Sequence, residues 1–310
     1  MDARKDFLDR WSRAVENVVV AESAFNPNVR AVSDSSDGFK FAVIHNPNRF
    51  ERPMPPTGDN SAREQKKDCI LCSVLEFTTQ DNVRNLNPEG SLKNYTVVVN
   101  KFPTMRGHSL GIENGIKSNE KRMYSTLDLS RVSKDMEAVF SFAQERGLQA
   151  YHNSEGAGAS IPGHEHWHFT NWNAIYDKAG AICGFDGVDH ERTAVSKDVG
   201  FVSDFPFAHL IFDRKDPERI VSFLDKIGKR FNSQYTKGFV PHVICQGERG
   251  ILVVPYKFHN FSGGIGSGDV AGHLVCKTVE DFNRADYTYC VNRLSESLFR
   301  KDEINLEKLL

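Results

Sequence analysis

Hydrophobic and polar positions along this 310-residue chain follow two periods, one helical and one of strict alternation. In residues 2–21, Phe7, Leu8, Trp11, Ala14, Val15 and Val18 recur every three or four positions, which predicts an amphipathic helix packed on a sheet. Residues 38–44, GFKFAVI, read as a strand. Residues 94–100, NYTVVVN, are β-branched and bounded by asparagines, a strong strand signal. KFPTMRGH then turns the chain, and SLGIEN supplies the paired strand. The helical period returns over residues 119–146, as one long helix or two shorter ones. Leu127, Leu129, Val132, Met136, Val139, Phe140 and Phe142 supply its apolar face and Gly147 ends it. LQAYHN is the next strand.

Alternation is sharpest at residues 164–169, HEHWHF. Side chains on a strand repeat every two residues, so His164, His166 and His168 share one face, while Trp167 and Phe169 turn to the other, toward a core. Just upstream, Gly156, Gly158 and Gly163 fall in a small-residue run of the kind that lets backbone N–H groups approach phosphate oxygens. Imidazoles beside such a run point to phosphoryl or nucleotidyl transfer. A site in which all three histidines ligate a metal is the alternative, and a purely structural row is the bland one.

Further along, residues 173–200 read as loop. Residues 205–213, FPFAHLIFD, read as a strand, and 216–235 as an amphipathic helix with Pro217 near its first turn. Residues 239–256 read as a hairpin about the Gly247–Gly250 turn, and 261–269, FSGGIGSGD, as a flexible glycine-rich loop. A closing helix of roughly 20 residues, from Glu280 to Arg300, ends the pattern. Both halves share a plan of strand, helix and paired strands, but the second has no HxHxH. A structural repeat with one active half therefore divides the chain at 1–175 and 176–310.

Composition changes this picture little. Net charge is −2, hydrophobic residues make up 39% and charged residues 26%, so neither nucleic acid nor an anionic membrane is an expected partner. No apolar run approaches a membrane span. Six cysteines behind a charged, amphipathic start read as reduced thiols in a cytoplasmic protein. Cys69 and Cys72 form CILC, which fits half a zinc site, a redox pair or neither. Arg49 and Arg52 open a proline-rich polar loop and fit either solvated surface or a phosphate clamp.

Together these segments resemble the histidine-triad superfamily, and within it the two-halved branch of galactose-1-phosphate uridylyltransferase and the dinucleoside tetraphosphate phosphorylases. NPNRFERP before CILC, NYTVVVNKFPTMRGHSLGI, and HNSEGAGASIPGHEHWH carry the likeness, which covers residues 38–172 by motif and the remainder by architecture. The resemblance implies an α+β fold of antiparallel sheets with packed helices, in two histidine-triad-like halves, the second degenerate. It implies His166 as the nucleophile that forms a nucleotidyl-histidine, with His164 orienting it and His168 serving the phosphoryl oxygens or the leaving group. Asn100 would meet the ribose, His108 would be the accessory histidine, and Asn153 and Ser160 would hold phosphates. Arg49 and Arg52 join them as candidate substrate-binding residues. Cys69, Cys72 and His164 would be the tentative ligands of a structural zinc, and no organic cofactor is implied.

The implied substrate is a nucleoside diphosphate sugar or a dinucleoside polyphosphate, and the acceptor is phosphate or a sugar phosphate. The assembly would be a monomer or a homodimer. His168 stands where the transferase branch has Gln and where the hydrolases have His, so a hydrolase of the same substrates is the runner-up reading. A silent nucleotide-binding module is the reading without chemistry.

Overall fold

The computed structural model describes residues 2–16, 26–35, 38–47, 71, 74, 85–87, 91–101, 103–114, 129–153, 166–188, 199–202, 204–212, 222, 241–246, 249–255 and 265–304. The chain is α+β. Helix α1 (Ala3–Glu16) is followed by strands β1 (Asn28–Val32), β2 (Phe41–His45), β3 (Tyr95–Val99) and β4 (Ser109–Glu113). Then come helix α2 (Leu129–Glu145), β5 (Gln149–His152), β6 (His166–Thr170) and helix α3 (Asn173–Ala179). The second half adds β7 (Val199–Gly200), β8 (Leu210–Phe212), β9 (Pro241–Gln246) and β10 (Arg249–Pro255). It closes with α4 (Ser267–Val270), β11 (His273–Cys276), α5 (Val279–Arg284) and α6 (Tyr287–Ser295).

Eight strands form one antiparallel sheet in the order β3-β4-β6-β5-β9-β10-β8-β7. Four come from each half, and the β5–β9 ladder joins the two sets. The small sheet, β1-β2-β11, carries a parallel ladder in which Ala42 pairs with His273. Parallel strands need a long connection, and here the whole large sheet lies between the partners.

Each face of the large sheet is covered differently. Val97, Trp167, Phe169, Ala150, Val243 and Cys245 alternate onto one face. There they meet Phe7 and Trp11 of α1 and Met136, Val139, Phe140 and Phe142 of α2. Trp167 and Phe169 are fully buried, with Phe140 edge-on to Trp167 and Phe142 edge-on to Phe169. Burial of such aromatic side chains stabilises by about 2–3 kcal/mol each, so this face fixes the register of β6. Toward β9 and β8 the other face carries Tyr151, Ile244 and Ile211, packed with Phe41, Val43 and Leu274 of the small sheet. The same second face carries His166 and His168, which pair with Ile112, Leu110 and Tyr151.

Several elements depart from the expectations. Residues 173–200 are not all loop: α3 occupies Asn173–Ala179, and a 3-10 turn spans Gly184–Gly187. Burial of Ile175 and Tyr176 on one face holds that helix where local propensity is weak. The closing helix is broken in two. Asp286 accepts a hydrogen bond from the Tyr289 N–H and starts α6 afresh, which ends α5 at Arg284. Part of the glycine-rich run is ordered as α4. Only Leu210–Phe212 of the 205–213 strand pairs in the sheet, while Phe207 makes a single bridge to Arg300. Strands β1 and β11 were not foreseen. The expected helix at 216–235 lies outside the described residues except for position 222, as do residues 119–128 of the long helical segment. Cys183, Cys245, Cys276 and Cys290 are buried free thiols. Among the described residues no helix is long and apolar enough to cross a membrane.

Candidate active site

The site grows from strand alternation. His166 and His168 lie on β6 with exposures of 4% and 5%, their rings 5.3 Å apart between centroids. Leu110 of β4 and Tyr151 of β5 flank His168 across the ladders. The Tyr151 ring stacks on His168 at 5.0 Å with 9° between planes. This contact prevents the imidazole from swinging in that direction and costs no hydrogen bond.

On its other side His168 meets His108. The tight turn at residues 103–107 brings that ring back over the sheet, and the Thr104 N–H donates to His108 Nδ1 at 3.0 Å. His108 Nε2 lies 3.0 Å from His168 Nδ1 and 3.0 Å from Asn100 Nδ2. The two imidazoles are thus linked ring to ring, which ties the tautomer of His168 to that of His108. A chain of contacts that starts at the Thr104 amide therefore runs through two imidazoles and ends beside His166.

The turn is braced from two directions. Trp11 of α1 donates its indole N–H to the His108 carbonyl at 3.2 Å, and the Asn100 N–H donates to the same oxygen at 3.1 Å. Asn46, just beyond β2, donates its amide to Thr104 O at 3.1 Å. Amphipathic packing of α1 thus helps place a histidine of the site.

Asn153 follows β5. The ladders end with His152 paired to Trp167 and to Val243, and continuing that register one step sets Asn153 across from His166 and His242. Asn153 Oδ1 accepts from the Ser267 N–H at 2.7 Å and from Ser267 Oγ at 2.6 Å.

The structure thus brings together five of the expected residues: His166, His168, His108, Asn100 and Asn153. His164, Ser160, Arg49, Arg52, Cys69 and Cys72 lie outside the described residues. Among the described residues no cluster of three or more His, Cys, Asp or Glu side chains could hold a metal ion. Sequence reasoning missed Tyr151, Thr104, His242 and Ser267. Tyr151 could have been found, because it is two positions before Asn153 on an alternating strand. Thr104 acts through its backbone and leaves no signature.

Burial pushes His152, His209, His242 and His273 down to about 3, and for His152 the neighbouring His166 and His242 add to the effect. Their folded-state values lie below the ordinary 6.5. Below that pH the unfolded chain takes up protons that the folded chain does not, and stability present above about 6.5 is lost as pH falls toward 3. Each histidine contributes up to about 1.4 kcal/mol per pH unit. The urea midpoint is therefore expected to be distinctly lower at pH 5 than at pH 7.5, and equal midpoints would contradict the neutral buried state.

No family model matches the sequence, and no curated protein matches it. Solved structures do. The crystal structure of yeast Ap4A phosphorylase Apa2 superposes with a TM-score of 0.65 over 96% of this chain and 95% of its own, at 15% identity. This chain has the Apa2 fold. The same phosphorylase in complex with Ap4A gives 0.63, covering 96% of this chain and 97% of the other, again at 15% identity. Its complex with AMP gives 0.56 over 95% and 91% at 15% identity. The α+β architecture of antiparallel sheets expected from the histidine-triad resemblance is the one observed.

Proposed function

We propose that this chain is a nucleotide-transferring enzyme acting on a dinucleoside polyphosphate or a nucleoside diphosphate sugar, with phosphate or a sugar phosphate as acceptor. One observation carries the reading. His166 shares a sheet face with His168, which His108 and Tyr151 hold between them, and the chain just beyond β5 brings in Asn153, whose oxygen is anchored by Ser267. An Ap4A phosphorylase of the same fold has been crystallised with Ap4A and with AMP, which makes the dinucleoside polyphosphate the first substrate to try.

In this mechanism a ring nitrogen of His166 attacks the α-phosphorus. A nitrogen–phosphorus bond forms, the bridging phosphorus–oxygen bond breaks, and the leaving oxygen takes the proton from His168 Nε2. Asn153 and Asn100 hold phosphate and ribose, and N–H donors aimed at the phosphoryl oxygens stabilise the charge that develops there. In the second step an oxygen of the acceptor attacks, the nitrogen–phosphorus bond breaks, the proton released by the acceptor returns to His168 Nε2, and His166 is regenerated. His164 and Ser160 complete the set, with Arg49 and Arg52 as phosphate clamps. Cys69, Cys72 and His164 are proposed as the partial ligand set of a structural zinc.

His168 at the third triad position also favours a second reading, in which water is the acceptor. Product analysis separates the two. With Ap4A and phosphate, transfer to phosphate yields ADP and ATP, whereas water yields AMP and ATP. We expect strict dependence on phosphate. AMP formed at the same rate without phosphate would establish the hydrolase instead.

A further inference from the structure

His242 and Ser267 belong to the second half, which has no triad, yet they reach the row that contains His166. Both are fully buried. Ser267 Oγ lies 2.9 Å from the His152 carbonyl, 2.6 Å from Asn153 Oδ1 and 2.8 Å from His242 Nδ1. The first two partners can only accept, and a hydroxyl has one proton to give. His242 therefore donates from Nδ1 to Oγ, which fixes its tautomer. The Ser267 backbone N–H donates to the Asn153 oxygen, and the hydroxyl shares its one proton between that oxygen and the His152 carbonyl, so Ser267 holds the oxygen on the His242 side. The amide N–H2 group is then the end of Asn153 left for the His166 side.

Packing reinforces this orientation. A Cβ on Gly266 would sit 3.6 Å from Asn153 Oδ1 and 3.8 Å from Nδ2, so the backbone leading into α4 lies flat against the amide. Without such anchoring an asparagine amide can turn over and present its oxygen. Facing a phosphoryl group, that oxygen would repel where the N–H2 group attracts.

We infer that Ser267 and His242 are positioning residues for the phosphate site of the other half, acting through Asn153 as a His242–Ser267–Asn153 relay. The inference rests on the proposed function for its substrate but not for its geometry. It makes the second half a working part of the site.

A double-mutant cycle with Ap4A and phosphate tests it. Ser267→Ala removes the hydroxyl and keeps the backbone donor. It is expected to lower kcat about tenfold and to leave KM within twofold, because the amide acts on the charge that develops during transfer. In an Asn153→Ala background the same change is expected to cost less than twofold, since its target is gone. Full activity in Ser267→Ala, or an equal loss in both backgrounds, would overturn the relay. A merely structural role would lower the melting temperature in both backgrounds without that dependence.

A second measurement needs neither substrate nor variant. In protein labelled with [15N]histidine, the His242 ring is expected to show a protonated Nδ1 and an unprotonated Nε2. The opposite tautomer overturns the relay whatever the substrate proves to be. If instead His166→Ala turns over at the wild-type rate, the proposed function fails, while the His242 spectrum still decides the relay.

Discussion

Changing His166 to alanine is expected to lower transfer from Ap4A by at least about a thousandfold, since removal of a covalent nucleophile leaves only the stabilisation offered by the surrounding donors. The same change is expected to leave the fold intact. His166 projects from the face opposite Trp167 and Phe169, and the register of β6 depends on those two aromatic side chains and their contacts with α2. Circular dichroism and melting of the variant should therefore stay close to wild type. Intact-mass measurement after brief mixing with Ap4A adds a direct readout. Wild type should gain the mass of one nucleoside monophosphate, and the variant should gain none. A variant that turns over normally would rule out His166 as the nucleophile.

The second large effect concerns stability. Gly184 sits at φ +64° with its Cα against Gly272, whose own φ is +97°. A Cβ at position 184 would lie 2.2 Å from the Ala271 carbonyl oxygen. Since the Gly184 N–H donates to Lys40 O at 2.7 Å, the backbone is held there and cannot simply move aside. Gly184→Ala adds the left-handed backbone penalty to this overlap and is expected to destabilise by about 2–5 kcal/mol. The measurement is the urea midpoint at pH 7.5. A midpoint unchanged from wild type would mean that the contact between the 3-10 turn and the α4–β11 corner yields easily.

How legible the site was depends on what made each residue matter. His166 and His168 were readable because a period of two places them on one face and their neighbours Trp167 and Phe169 on the other. His108 and Asn100 were readable only from the family likeness, since nothing in KFPTMRGH announces that the turn folds a ring back onto β6. Thr104 was invisible: its contribution is a backbone N–H, which every residue except proline has. His242 looked like one polar residue in an apolar strand, and Ser267 like one member of a glycine-rich run. Their significance is the β5–β9 register, a long-range pairing that no local pattern encodes.

The fold shows the same division. Strands β2 to β6 and helix α1 follow hydrophobic periodicity, and their approximate positions were legible. Helix α3 was not, because NAIYDKA is short and owes its shape to burial of Ile175 and Tyr176. The break between α5 and α6 was missed because the apolar pattern runs on through it, while the Asp286 cap stops one helix and starts the next. Strand β11 was missed because its partner, β2, is far away in sequence.

That last pairing has a consequence for how the protein is made. On a ribosome, β2 emerges early with Phe41, Ala42, Val43 and Ile44, all of which end fully buried. Its parallel partner begins only at His273. At roughly 5–20 residues per second, the intervening stretch takes on the order of ten seconds or more to synthesise. Throughout that interval the β1–β2 hairpin carries a greasy, unpaired edge, the kind of template on which nascent chains stick to one another. The N-terminal hairpin is thus a segment that a chaperone would shield during translation.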